Sequence, residues 1–222
     1  MLKLLLEHGA DPNRANTKRY SVLSVASREE RNTIEMLKIL LDHGADMYNG
    51  GDCYGSFYNN INPFPFEGMF EKNYMEGVKL FLERGYDSRK YLCTLEGRPS
   101  ALHVAIDRRG RNFSGSGPDM RMLSLLINYY RAKGILSSEL ERGLRESWSP
   151  LFHALDHSSK LAHATLLMRS GADPNLEDCQ GNTALGHVLF NDTSLRAKSI
   201  KLFIQHGAHL RNYIERLFWG AN

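Results

Sequence analysis

Cysteine is scarce in this chain. Three occur, Cys53, Cys93 and Cys179, far apart and odd in number. None has the paired spacing of a zinc site or a disulfide framework, so free thiols in a reducing, intracellular compartment are expected. Long apolar runs are lacking too. The opening "MLKLLLEHGADPN" is too short in its apolar part for a signal-peptide core. No stretch approaches the roughly 20 apolar residues of a membrane helix. Without a secretory signal, the sequons at Asn112 and Asn191 read as chance matches. Excess charge of one sign is missing as well: the net charge is +3, too little to argue for nucleic acid or a membrane surface on bulk electrostatics.

Catalytic signatures are also absent. The sequence holds no Gly-rich phosphate loop, no Gly-x-Ser-x-Gly elbow and no His-Glu-x-x-His,. Nothing sets a cysteine beside a histidine for nucleophilic attack. His153 and His157 are four apart and could share a helical face, with His163 nearby,. No carboxylate or cysteine completes a ligand set with them. The expectation is a chain without catalysis, cofactor or metal; any catalytic domain would belong to a longer parent chain.

What is present is globular in composition, with 42% hydrophobic and 24% charged residues in 222,. That length suits one or two domains, or one elongated array. A single ending recurs: "LLEHGADPN" (5–13), "LLDHGADMY" (40–48), "FLERGYDSR" (81–89), "LMRSGADPN" (167–175) and "FIQHGAHLR" (203–211). The glycines, Gly9, Gly44, Gly85, Gly171 and Gly207, are separated by 35, 41, 86 and 36 residues. The 86 is close to two periods, and the degraded ending between them is "LLINYYRAKG", closed by Gly134. A glycine just past the last turn stops a helix in the left-handed conformation. The Asp and Pro or Asn after it support a tight turn. His8, His43 and His206 sit just before that glycine, where a cation interacts well with the helix dipole.

A second signal precedes each ending: "SVLSVA" (21–26), "SALHVA" (100–105), "SPLFHA" (149–154) and "TALGHV" (183–188). A Ser or Thr caps a helix, and the leucine and small residue that follow lie on a buried face. Two helices fit between start and ending. One such pair cannot bury its apolar side alone, so stacked neighbours supply the core.

A Thr-Pro-Leu-His-x-Ala start with a Leu-Leu-x-x-Gly-Ala-Asp-x-Asn ending resembles the ankyrin repeat. The resemblance spans nearly the whole chain, and the Asp-x-x-Gly that opens a repeat appears at 52–55 and 178–181. It implies an all-α ankyrin-repeat solenoid, a single array over 1–222. Its repeats would be 1–13 (partial), 14–49, 50–90, 91–134, 135–175 and 176–211, with a short helix at 212–222. Capping positions near 21, 57, 100, 149 and 183 give steps longer than the usual period of about 33 residues. The extra length falls at 50–68, 108–119 and 131–147, as loops and hairpins. Pro63 and Pro65 are expected to interrupt a helix. The aromatics of 50–70 are read as covering an irregular gap in the stack, with a contact surface as the alternative. The 108–118 segment reads as a solvated loop; its Arg108, Arg109 and Arg111 are the alternative contact for an acidic partner or phosphates. Residue 1 starts inside a second helix, which suggests a fragment of a longer protein.

Function follows from the same resemblance. It implies a non-catalytic protein-protein interaction module that binds a protein partner on its concave face. The alternative is a structural or regulatory segment of a larger enzyme or effector. Nucleic acid and membrane are not expected, and a monomer is favoured. Carried over position by position, the contacting residues are Lys18, Tyr20, Arg28 and Glu29; Glu96, Pro99, Asp107 and Arg108; Arg145, Glu146, Trp148, Asp156 and His157; and Cys179, Gln180, Asn182, Phe190 and Asn191. Trp148, Tyr20 and Phe190 come first, because aromatics and Arg dominate binding hot spots. Packing on the neighbouring hairpin is the competing role for each. Asn13 and Asn175 match the spacing at which the family resembles an asparaginyl hydroxylase substrate; a turn asparagine held by its own hydrogen bonds is the preferred reading.

Overall fold

The six glycine endings all have one geometry. Gly9, Gly44, Gly85, Gly134, Gly171 and Gly207 take positive φ, between 70° and 103°. In each, the glycine N–H and the next N–H fold back onto the last turn. At the first ending, Gly9 N donates to the Leu6 carbonyl and Ala10 N to that of Leu5, both at 3.0 Å. At the degraded ending, Gly134 N donates to Arg131 and Ile135 N to Tyr130. This two-bond stop needs a left-handed residue, which glycine supplies without a Cβ penalty.

The computed structural model describes residues 1–17, 20–28, 34–49, 65–87, 100–106, 120–143, 148–155, 161–191 and 196–209, apart from the side chains of Glu67, Glu71, Phe190, Asn191 and Arg196. The chain divides into two compact units, Met1–Cys93 with Arg108–Phe113, and Thr94–Asp107 with Ser114–Asn222. The described residues are helical apart from turns and two isolated antiparallel bridges, Ala15–Ser21 and Glu177–Thr183. No described helix is long and apolar enough to cross a membrane.

The first unit holds α1 (Leu2–Glu7), α2 (Val22–Ala26), α3 (Ile34–Asp42), α4 (Pro65–Glu71) and α5 (Met75–Glu83). Helix α2 lies against α4, while α3 lies between α1 and α5, so the helices form two rows. Leu23, Leu37 and Leu40 are fully buried between them. Helix α4 corrects the expectation for Pro65. Proline at a first helical position loses only an N–H that has no partner there and brings a preset φ, so Pro65 opens the helix. Phe66 and Phe70, at 2% and 1% exposure, then fill the space beside Phe81 and Tyr86. Phe66 stacks on Tyr86 at 4.0 Å and meets Phe70 edge-on at 5.0 Å. These two phenylalanines fill the stack, as expected of the aromatic insert; residues 50–64 lie outside the described part.

The second unit holds α6 (Ala101–Ile106), α7 (Arg121–Ala132), α8 (Leu136–Glu141), α9 (Pro150–Leu155), α10 (Leu161–Arg169), α11 (Ala184–Asn191) and α12 (Arg196–Gln205). Helix α9 is flanked by α6 and α11, and each of the three also packs on its own following helix, α7, α10 or α12. Leu102, Leu151 and Leu185 are buried along that row. Part of the extra length at 131–147 is helix α8, where a loop was expected. Leu136 and Leu140 fall on one side of it, and Leu140 is buried against the stack. The 108–119 and 212–222 segments lie outside the described residues.

Candidate partner-binding surface

Ser21 starts α2. Its Oγ accepts the Ser24 N–H at 3.1 Å and donates to the Asn49 carbonyl at 2.8 Å, tying the helix to the next hairpin. Ser24 and Ser27, both buried, donate to the carbonyls of Ser21 and Ser24. Leu23 and Ala26 face inward, which leaves Val22 and Val25 on the outer side at 38% and 41% exposure. The guanidinium of Arg28 lies 5.4 Å over the Tyr20 ring, and both residues are half-buried. The stem of Arg28 runs across Gly68 of α4, where a Cβ would come within 2.8 Å of Arg28 Cγ. Helix α2 thus carries an exposed apolar pair, and the residues flanking its two ends, Tyr20 and Arg28, meet each other.

In the second unit Trp148 precedes α9. Its ring stacks on Phe152 at 5.0 Å and meets His187 of α11 edge-on at 5.4 Å, and Phe152 and His187 are 4.9 Å apart. The three rings fasten α9 to α11, and Trp148 stays half-buried. Next to α11 is the hairpin tip. Asp178 Oδ1 accepts the N–H groups of Gln180 and Asn182 at 2.9 and 2.8 Å. Asn182 Nδ2 donates to Asp178 Oδ2 and Gln180 Oε1. The tip is therefore ordered by its own side chains, with Cys179 and Gln180 exposed.

Under the surface, His103 joins α6 to the start of α9. Its Nδ1 lies 2.8 Å from Ser100 Oγ and accepts the Ser100 N–H at 3.2 Å; its Nε2 lies 3.0 Å from the Trp148 carbonyl. A carbonyl only accepts and a backbone N–H only donates, so the ring is neutral with its proton on Nε2. Burial, more than the neighbouring His153 and Arg142, pushes its pKa down from 6.5 to about 4; the Trp148 carbonyl opposes the shift.

The hairpins are clamped to each other by asparagine. Asn13 Nδ2 donates to the Gly44 carbonyl and its Oδ1 accepts the Asp46 N–H, at 3.0 and 2.7 Å. Asn175 does the same with Gly207 and His209, at 3.1 and 2.7 Å.

No family model matches the chain. Solved structures do. An ankyrin repeat domain from Acinetobacter baumannii aligns at 23% identity over 94% of this chain and 92% of that one, with a TM-score of 0.64. The ankyrin repeat domain of Bcl-3, a member of the IkappaB protein family, aligns at 24% identity over 83% and 70%, with a TM-score of 0.58. The fold is that of the ankyrin repeat. A third match is a chain from the complex of the predatory endopeptidase Bd0816 of Bdellovibrio bacteriovorus with the immunity protein Bd3460, at 16% identity, 90% and 89% coverage and a TM-score of 0.61.

On this ankyrin scaffold the expected contact residues divide three ways. Tyr20, Arg28, Trp148, Cys179, Gln180 and Asn182 are described as above. Tyr20 and Arg28 adjoin each other in the first unit; Cys179, Gln180 and Asn182 share one hairpin tip in the second. Phe190 and Asn191 end α11, but their side chains lie outside the described part. Lys18, Glu29, Glu96, Pro99, Asp107, Arg108, Arg145, Glu146, Asp156 and His157 lie wholly outside it, as do Arg109 and Arg111. Val22 and Val25 escaped the sequence reading. Their signal was the i, i+3 spacing opposite Leu23 and Ala26, masked by a helix of five residues that is apolar on both sides apart from Ser24.

The histidines before the glycine endings add a hydrogen bond to that picture. His8, His43 and His206 each place Nδ1 at 2.8–2.9 Å from the carbonyl four residues back. The ring donates a hydrogen bond to the helix end.

Proposed function

We propose that this chain is a non-catalytic protein-interaction module. It binds a protein partner on the side that carries the first helices and hairpin tips. One observation carries the reading: α2 turns Val22 and Val25 to solvent with Tyr20 and Arg28 alongside. Interface centres combine apolar area with aromatic and Arg anchors, and an outward valine pair has no use in the core. The ankyrin fold supports the assignment, as does the complex with an immunity protein in which a similar chain occurs. Trp148 and the 178–182 tip form the corresponding surface of the second unit.

The test is capture by the immobilised chain of a purified candidate partner, followed by titration with variants. Tyr20→Ala, Val25→Asp and Trp148→Ala are expected to weaken binding about tenfold or more. Lys201→Ala, at an exposed position of α12, leaves it unchanged. Melting curves report whether each variant remains folded. If the three folded variants bind as the parent does, the surface is wrongly assigned.

A further inference from the structure

The second helices of the two units differ in charge. In the first unit, α1, α3 and α5 hold five carboxylates against three lysines. In the second, α7, α10 and α12 hold six Lys and Arg and no Asp or Glu. The difference sits at two repeat positions. Two residues before the glycine stop stand Glu7, Asp42 and Glu83 in the first unit, but Ala132, Arg169 and Gln205 in the second. Nine residues before it stand Glu35 and Glu76 in the first, but Leu125, Ala162 and Lys198 in the second. Positions seven apart share one side of a helix, and here it is the outer side: Glu35 and Asp42, Glu76 and Glu83, and Arg169 and Lys198 are all exposed.

In the first unit opposite charges answer each other. Lys3 meets Glu7 at 3.8 Å, and Arg84 meets Asp42 at 2.7 Å. In the second unit the cations have neutral neighbours. Arg131 donates to Asn128 Oδ1 at 3.1 Å, and Lys133 lies 5.7 Å over the Tyr129 ring. Among the described residues, neither Arg169 nor Lys198 meets a carboxylate. The described carboxylates of this unit stand elsewhere, Glu139 and Glu141 on α8 and Asp173, Glu177 and Asp178 on the hairpin after α10. Of these, Glu139 is buried and held by Arg142 at 3.7 Å.

We infer that α7, α10 and α12 form a second contact surface, which binds an acidic segment of a protein. It is separate from the first helices and hairpin tips and does not depend on what those bind. Charge complementarity names the occupant: exposed cations that no carboxylate neutralises are matched by a partner that brings its own. Ile204, the one large apolar side chain exposed on these helices, at 51%, adds an apolar anchor of the kind found at protein contacts. Nucleic acid fits less well. Bases stack on open aromatic rings, and the one half-exposed ring on the three helices, Tyr129, lies under Lys133. A lipid surface fits less well too, because an interfacial helix needs a broad side of Trp, Phe or Leu, which a lone Ile204 does not make.

The experiment is fluorescence anisotropy of the whole chain with a labelled synthetic peptide of Glu and Asp that carries one leucine. Parallel titrations use a single-stranded DNA oligonucleotide and vesicles of phosphatidylserine in phosphatidylcholine. The peptide is expected to bind at low salt and to lose affinity severalfold as salt rises to about 0.15 M. Arg169→Glu combined with Lys198→Glu should weaken it about tenfold or more, whereas Lys38→Glu, the same charge change on exposed α3 ground, should shift it less than about twofold. Melting curves report folding, and the pair Arg169→Gln with Lys198→Gln, which removes the charges without reversing them, gives the same order if the reversed pair unfolds. Equal affinity of parent and folded double variants overturns the surface, as does a peptide that fails to bind at low salt. DNA or vesicles bound more tightly than the peptide overturn the acidic protein segment as the occupant.

Discussion

The phenol oxygen of Tyr48 accepts the Asp87 N–H at 2.8 Å, and so does for one pair of hairpins what Asn13 does for the pair before it. Tyr48 stands four residues after Gly44, as Asn13 stands four after Gly9. Asp46 and Asp87 occupy matching places, two residues after their glycines. The longer side chain spans a wider gap, and Tyr86, in the place of Ala45, fills it by stacking on Tyr48 at 5.2 Å. One repeat junction has exchanged a polar clamp for an aromatic one. Burial raises the Tyr48 pKa above its ordinary 10, as expected of a phenol in a packed seam.

Removing only the hydroxyl should therefore expose the bond. Tyr48→Phe keeps the ring stack and leaves the Asp87 N–H short of its acceptor, at a cost of about 1–2 kcal/mol. Tyr48→Asn, the residue at the Gly9 and Gly171 endings, should do worse, because it abandons the contact with Tyr86. Urea denaturation of the three proteins checks the order. A Tyr48→Asn variant as stable as the parent would sink the account.

The asparagine clamps predict a graded series. Asn13→Ala removes a donor to Gly44 and an acceptor for Asp46, about 1–3 kcal/mol in all. Asn13→Asp keeps the acceptor but sets a carboxylate against the Gly44 carbonyl, so it falls between parent and alanine. Asn175, with the same two bonds, should behave alike. The same denaturation curves decide, and an Asn13→Ala midpoint equal to the parent's is the contrary result.

Two glycines should fail for different reasons. Gly134 has φ 70° and nothing within 4 Å of a Cβ, so Gly134→Ala costs about 1 kcal/mol of backbone strain whatever its surroundings. Gly68→Ala is a clash, against Arg28 Cγ and Ser27 Oγ, with a typical cost of about 1–3 kcal/mol. Arg28→Ala should relieve the part of that clash due to Arg28 Cγ, with the Ser27 Oγ contact remaining, and leave the Gly134→Ala cost untouched. A double-mutant cycle measures the difference as a coupling for the first pair alone.

The legibility of the sequence follows from the same physics. Helix ends were readable because a left-handed stop needs glycine, and Gly134 was found even without the Ala-Asp that follows elsewhere. Starts were readable because an orphan N–H needs a side-chain oxygen: Ser149 Oγ accepts Phe152 N and Thr183 Oγ1 accepts Gly186 N, at 3.3 and 3.2 Å. Helix α4 was hidden because Pro65 signals a break or a first turn equally well. Helix α8 was hidden because six residues with two leucines carry little periodicity. The Tyr48 clamp depends on how far a side chain reaches, which spacing does not record. For the surface, sequence reading named Tyr20 and Arg28 among the contacts of one unit but missed Val22 and Val25, and it had no means of seeing Trp148 stacked on Phe152.

That stack sets the condition for any test of Trp148. Its ring is shared between α9 and α11 through Phe152 and His187, so Trp148→Ala should cost about 1–3 kcal/mol of stability through lost ring contacts and burial. A fall in binding from that variant alone would mix two effects. Trp148→Phe keeps a ring on Phe152 and gives up the indole N–H and the outer edge, so its melting point should stay near the parent's. If Trp148→Phe nonetheless weakens capture of a partner severalfold, the exposed part of the indole is the contact. If capture tracks stability through both substitutions, Trp148 serves the stack, and the partner is held by other residues of that face.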